Sequence, residues 1–311
     1  MTILPDLTGV LRGRTLSLLV AAWLATVACG PASAAEPVDV AARARHLFRH
    51  DNLVAWCIVP FDATKRGPEE RAAMLEKAGF KHFAYDWRPE HVPTFEQEVE
   101  CLKSHGIALD AFWAPGPHAE PLLASFQKRG LTPSFWVMIG APDTLDQTAK
   151  VKHAAAAVRP LAEAAAKAGC RVDIYNHGGW GGEPENQIAV IEELKLPNVG
   201  IVYNQHHGHD HLPRFKELLA TMLPHLRFLN LNGMTAEGDK KGKKILVLGQ
   251  GDLDLQLART ICESGYDGPI GILGHTQDDA EARLLDNLEG LDWITGELTA
   301  KPIAKPVPRT K

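Results

Sequence analysis

The feature that most constrains this chain is a unit that recurs along it. A short apolar run, often β-branched, ends in a cluster of polar, aromatic and glycine residues, and a helix-periodic segment follows. Apolar runs at 53–59, 80–85, 107–112 and 134–139 are followed by helical patterns at 68–78, 95–105, 118–129 and 144–168. The second half continues with runs at 172–174, 199–203, 226–231 and 270–273, and with helices opening at Pro184, His211, Leu253 and Asp278. Gly79, Gly106, Gly130, Gly169 and Gly265 each follow the last periodic residue, which is a helix C-terminal signal. Eight strand-plus-helix units with short connections predict an α/β fold of one domain, a closed (β/α)8 TIM barrel. The rival, an open doubly wound sheet, would carry a glycine-rich phosphate loop after its first strand, and that loop is missing. Ile245–Asp252 reads as an extra strand or an ordered loop over the pocket.

The ends lie outside this pattern. Arg12 and Arg14 precede the apolar stretch Leu16–Ala28, and Ala32-Ser33-Ala34 supplies a small-residue cleavage site. Residues 1–34 thus read as a signal peptide, and the expected location is periplasmic or secreted. The apolar stretch is short of the ~20 residues of a stable membrane span. Cys29 leaves a lipoprotein as an alternative. Residues 35–51 form an N-terminal segment with a short helix over 40–48, expected at the barrel base. The barrel itself spans 52–295, and the Pro/Lys-rich tail 296–311 is expected to be disordered. The formal charge of −5 gives no reason to expect a nucleic-acid partner. Cys57, Cys101, Cys170 and Cys262 have no paired spacing and read as buried small hydrophobes.

In a barrel of this kind the working face is where the strand C-termini emerge. There the sequence puts the tryptophans Trp56, Trp87, Trp113 and Trp180. It adds the amides Asn176, Asn204, Asn230, Asn232 and Gln250, together with His275 and Asp86. Flat apolar faces beside amides and imidazoles suit a carbohydrate: ring C–H groups lie on the indoles and hydroxyls meet the polar groups. These residues are the candidate substrate contacts, and rim packing is the competing reading for any single tryptophan. An acid and a base are sought among His177 and His207, whose ordinary pKa lies near neutrality. Glu183 joins them because it sits at a helix start that glutamate does not favour. Tyr175 could donate a proton to a developing oxyanion.

Three stretches carry a resemblance: Asn176-His177-Gly178-Gly179-Trp180, Tyr203-Asn204-Gln205-His206-His207, and Gly249-Gln250-Gly251-Asp252 followed by Gly265-Tyr266-Asp267-Gly268. They resemble the xylose isomerase-like TIM barrels, the sugar phosphate isomerase/epimerase superfamily, over roughly residues 52–294. The resemblance implies a divalent metal held by Glu, Asp, His and Glu on strands five to eight, with the two glutamates moving a proton beside a sugar carbonyl. In this sequence those positions read Tyr175, Asn204, Asn230 and Leu273, while His207 matches a substrate contact. Two neutral amides, a phenol and a leucine are poor partners for Mn or Mg, so no cofactor is expected. The cluster His206, His207, His209, Asp210 and His211 approaches a zinc-hydrolase pattern but is one residue short, and a solvated rim is the plainer reading. The expected function is an exported isomerase/epimerase-like enzyme acting beside a sugar carbonyl without the metal. The alternatives are a non-catalytic sugar-binding barrel and a lyase or hydratase acting on oxidised sugars. The sequence leaves the oligomeric state open.

Overall fold

The structure, a computed structural model, describes residues 38–310. The expected signal peptide lies outside the described residues. Strands β1 (Leu53–Trp56), β2 (His82–Tyr85), β3 (Ala108–Trp113), β4 (Ser134–Val137), β5 (Arg171–Tyr175), β6 (Val199–Asn204), β7 (Leu226–Leu231) and β8 (Ile270–Leu273) are all parallel. They pair in chain order, and β8 pairs back onto β1 to close the barrel. Around them run α1 (Val40–Leu47), α2 (Pro68–Lys77), α3 (Phe95–Ser104), α4 (Ala119–Arg129) and α5 (Gln147–Lys167). The ring continues with α6 (Gly179–Gly182), α7 (Pro184–Leu194), α8 (Phe215–Met222), α9 (Asp254–Glu263) and α10 (Ala280–Leu298). The eight-unit barrel expected from the sequence is the observed fold.

Period-two alternation sorts each strand between two cores. Outward residues such as Leu53, Phe83, Phe112, Ile174, Ile201 and Leu229 join the helices in one large apolar cluster. Inward residues Val54, Trp56, Ala111, Trp136, Tyr175, Phe228 and Leu273 form a separate cluster in the barrel lumen. Its centre is aromatic. Trp56 and Trp136 meet edge-on at 4.6 Å, Trp136 packs 5.1 Å from Phe228, and Tyr175 lies 6.0 Å from Trp56. Such contacts add to the burial of ring area and close the lumen beneath the strand C-termini.

Two expectations about the elements are corrected, and one left open between strand and loop is decided for the loop. β1 stops at Trp56 because Cys57 adopts φ 62, a left-handed turn that ends the ladder. Ile245–Asp252 is an ordered loop held by one antiparallel bridge between Gly233 and Leu246, and by Asp254, whose carboxylate accepts from the N–H groups of Met234, Gly249 and Gly251. The tail expected to be disordered is placed: α10 runs to Leu298, and residues 299–310 turn back along it. Lys305 sits over the Trp293 ring at 4.7 Å, and Gln250 Nε2 donates to the Pro306 carbonyl. Arg309 pairs with Asp286 (2.7 Å) and Glu289, and the buried Asp286 carboxylate also accepts from the Thr310 N–H. Counting lysines and prolines as solvated chain misses this set of specific partners.

Replacing Trp136 with alanine should open a void in the lumen and cost about 3–5 kcal/mol. Urea denaturation of the purified protein measures it, and a loss below about 1 kcal/mol would mean that the aromatic plug contributes little.

Candidate functional site

The strand C-termini and their loops enclose a small cavity of about 60 Å³ lined by Trp56, Cys57, Asp86, Arg88, Trp113, Tyr175, His177, His207 and His275. A larger concavity of about 590 Å³ lies around the strand N-termini, between Ile107, Leu131, Arg171 and Pro269. We place the site at the smaller one, because ionisable side chains with displaced proton affinities gather there and barrel chemistry belongs to that face.

The aromatic plug forms the floor. Above it Asp86, at the end of β2, is 1 % exposed. Its Oδ1 accepts the Val59 N–H at 3.1 Å, its Oδ2 has no hydrogen-bond partner, and the Cys57 thiol lies beside it. Burial pushes its pKa up to about 7, against smaller lowering effects of that N–H and of the Arg88 charge. Burial likewise raises Tyr175 and Cys57 well above their ordinary values, so both stay protonated at neutral pH. Cys57 is therefore a neutral thiol and no nucleophile.

Four imidazoles form the opposite wall. His177 and His207 have ring centroids 4.5 Å apart, His206 and His207 3.8 Å, and His206 and His275 5.7 Å. Burial lowers the pKa of each, to about 3 for His207 and about 4 for His275. The neighbouring imidazoles and Lys244 lower His207 further, as Arg88 and Lys244 lower His275. All four are neutral at pH 7, and both nitrogens of the buried His206 lack partners. His275 is fixed by Phe61, whose ring lies 3.8 Å away. Phe61 is fixed in turn by its neighbour Asp62, which ties the loop after β1 to Arg66 and to the Ala280 N–H at the start of α10.

The sequence expectations divide accordingly. Tyr175, His177, His207, His275, Trp56, Trp113 and Asp86 are brought together. Glu183 is corrected: its carboxylate pairs with Arg214 (3.1 Å) and His211 (3.3 Å) on the rim, so it braces the start of α7 instead of facing the cavity. Trp87 packs on Phe95 and donates to the Trp113 carbonyl, and Trp180 donates to Gln147, so both are rim packing. Asn232 donates to the Gly233 carbonyl beneath the 245–252 loop, and Gln250 holds the tail. Asn176, Asn204 and Asn230 form a buried amide chain across β5, β6 and β7. Asn230 Nδ2 donates to Asn204 Oδ1 (2.7 Å), and the Asn204 N–H donates to Asn176 Oδ1 (2.7 Å).

The zinc-like cluster disperses. His209 donates to the Lys244 carbonyl, and His211 lies 3.0 Å from the Tyr203 hydroxyl, whereas His206 turns toward His275. Among the described residues no group of three or more His, Cys, Asp or Glu side chains is arranged to hold a metal ion. Sequence reasoning missed Arg88 and Cys57 as cavity residues. Arg88 carries no local signal of a site, because its aromatic neighbours Phe61 and Trp113 come from other units.

A family model described as a xylose isomerase-like TIM barrel matches residues 127–295, more than half of the chain. No curated protein matches the sequence. Among solved structures, 3-keto-D-glucoside 4-epimerase, YcjR, from E. coli is similar with a TM-score of 0.61 at 15% identity, covering 78% of this chain and 98% of that one. The probable 3-DHS dehydratase AsbF from Bacillus anthracis has a TM-score of 0.61 at 13% identity, covering 77% and 98%. A xylose isomerase-like TIM barrel protein from Mycobacterium smegmatis, in complex with magnesium, has a TM-score of 0.56 at 18% identity, covering 81% and 97%. At these identities the likeness is one of fold.

The displaced proton affinities make stability depend on pH in two opposite ways. His206, His207 and His275 bind protons more readily in the unfolded chain, so they withdraw stability as pH falls below about 6.5. Asp86 does the reverse, because the unfolded chain releases that proton near pH 4 and the folded one near 7. Stability is withdrawn as pH rises through that window. Asp86→Asn should therefore gain on the wild type between pH 4 and pH 8, by at most about 4 kcal/mol. Urea melts of both proteins at the two pH values measure this, and a difference that does not change with pH would show that Asp86 titrates normally.

Proposed function

The chain belongs to the xylose isomerase-like TIM barrel family, and from that premise we propose a carbohydrate-active enzyme that moves a proton on the carbon beside a sugar carbonyl. The observation that carries this reading is Asp86: a buried carboxyl whose pKa lies near 7, sharing a cavity with imidazoles held neutral. A base with that affinity is half-ionised at physiological pH, which is where general acid–base exchange works best. The epimerase and the dehydratase among the similar structures are in keeping with it.

In the step we propose, the Asp86 carboxylate takes the proton from the carbon next to the carbonyl. The C–H electron pair becomes the second bond of an enediolate, and the carbonyl π pair becomes negative charge on the oxygen. An N–H of neutral His207 or His177 meets that oxygen. An imidazole whose pKa is this low donates a hydrogen bond without bringing a charge of its own. Return of the proton from Asp86 to the neighbouring carbon on the same face gives an isomer, and a proton delivered by water to the opposite face of the first carbon gives an epimer. Trp56 and Trp113 line the cavity and give it apolar indole surface.

We route no step through a divalent cation. At the positions where the family resemblance implies ligands, the Asn204 carbonyl oxygen already accepts from Asn230, Tyr175 keeps its proton, and Leu273 belongs to the apolar lumen. That donor set does not fit Mg²⁺ or Mn²⁺, which take anionic oxygens. We also propose export, on the leader pattern of residues 1–34. The mature protein should then begin at Ala35, which N-terminal sequencing of the exported material reads; an intact Met1 would rule it out.

Asp86→Asn should lower proton exchange into sugar substrates by about 10²–10⁴-fold, measured as deuterium wash-in from solvent by NMR over a panel of free and oxidised sugars. In the wild type kcat/KM should rise with pH through about 7, as the carboxylate forms. Wild-type exchange that survives unchanged in Asp86→Asn would overturn the assignment, and sugars that bind without ever exchanging would leave a binding barrel as the better reading.

A further inference from the structure

The reading above does not use Arg88. It lines the cavity from the end of β2, half-buried, with its guanidinium 5.4 Å above the Phe61 ring and 5.3 Å from the Trp113 ring. One nitrogen donates to the Trp87 carbonyl at 2.7 Å. Among the described residues no carboxylate comes within ion-pairing distance of it. The nearby acid, Asp86, directs one oxygen to the Val59 N–H and keeps its proton for part of the time at pH 7. The exposed Lys244, outside the cavity lining, adds a positive charge that acts on His177, His206, His207 and His275, and the imidazoles themselves contribute none. At neutral pH the cup therefore carries an excess of positive charge, and among the described residues its guanidinium feels the charge of the half-ionised Asp86 without being paired to it.

We propose that the substrate is a sugar acid, whose carboxylate is bound by the free edge of Arg88. This rests on the cup being the proton-transfer site, and it names the class of sugar. A guanidinium packed against aromatic rings is held in one plane, and its remaining N–H groups point along its edge. That geometry suits a planar carboxylate, which accepts two parallel hydrogen bonds. The surrounding apolar rings exclude water and strengthen the pair. A phosphate dianion is the other anion that arginine binds, but it asks for donors in three dimensions, and the cavity lining itself offers one planar fork beside flat rings and neutral imidazoles, with Lys244 outside that lining. The carboxylate also contributes to the chemistry. A charge fixed at Arg88 orients the chain of carbons so that one C–H is presented to Asp86 in every turnover. Arg88 is thus a specificity-determining residue that touches the substrate.

Isothermal titration calorimetry with D-glucuronate, D-glucose and D-glucose 6-phosphate tests this on the mature protein. Glucuronate should bind at least about tenfold tighter than glucose, and added salt should weaken only the glucuronate. Arg88→Gln should erase the preference, and Arg88→Lys should restore part of it, with the melting temperature of each variant confirming the fold. Asp86→Asn should keep the preference while losing proton exchange, which separates this inference from the reading of the reaction. Equal binding of glucuronate and glucose, a preference that survives in Arg88→Gln, or binding of neither sugar would overturn it. Tighter binding of the 6-phosphate would overturn it in favour of a phosphate.

Discussion

Water exclusion at the strand C-termini is the constraint on which the rest of this structure depends. Trp56, Trp136, Tyr175 and Phe228 fill the lumen edge against face, so the polar groups above them rest on an apolar floor. Desolvation is the largest single influence on Asp86, His206, His207 and His275, and in each case it favours the neutral form. The same packing therefore raises a carboxyl toward neutrality and pushes imidazoles far below it. A wetter lumen would return both kinds of group to their ordinary range, and the contrast between acid and base would disappear. Packing and reactivity are in this sense one property of the barrel.

The amide chain of Asn176, Asn204 and Asn230 shows how polarity is retained at the ends of β5, β6 and β7 without charge. Each asparagine can both donate and accept, so three of them in sequence satisfy much of one another's need in a space that water does not reach. Space around the chain is tight: a Cβ on Gly271 would overlap the Asn230 side-chain oxygen. Asn230 lies opposite Gly271 in the β7–β8 register, and Asp86 is the carboxylic acid lining the cup.

Much of this was legible in the sequence. The alternation of apolar runs with helices that end at glycine specifies the barrel, because both periodicities are local properties. The face that carries the chemistry follows from strand direction alone, and seven of the side chains named for it do meet. What the sequence hid depends on partners distant along the chain. Arg88 meets Phe61 and Trp113 only in the fold. Glu183 looks idle until Arg214 and His211 arrive from the next unit. Trp87 and Trp180 have the same composition as Trp56 and Trp113, but their indole N–H groups are taken by rim partners. The tail escaped because proline and lysine count as solvated in composition, whereas here Lys305 lies on an indole and Arg309 answers a buried acid.

That returning tail has a consequence for how the molecule is handled. Asp286 is sealed against solvent, and its carboxylate is satisfied by Arg309 and by the Thr310 N–H and hydroxyl. A few residues earlier, Pro306 receives Gln250 from the loop that ends the β7 connection. The last polypeptide turn is thus a splint joining the outermost helix to a loop at the mouth of the barrel. A protease that trimmed it, or a fusion that pulled it away, would strand an anion in the interior and free one wall of the entrance. What looks from composition like a dispensable appendage is part of the frame.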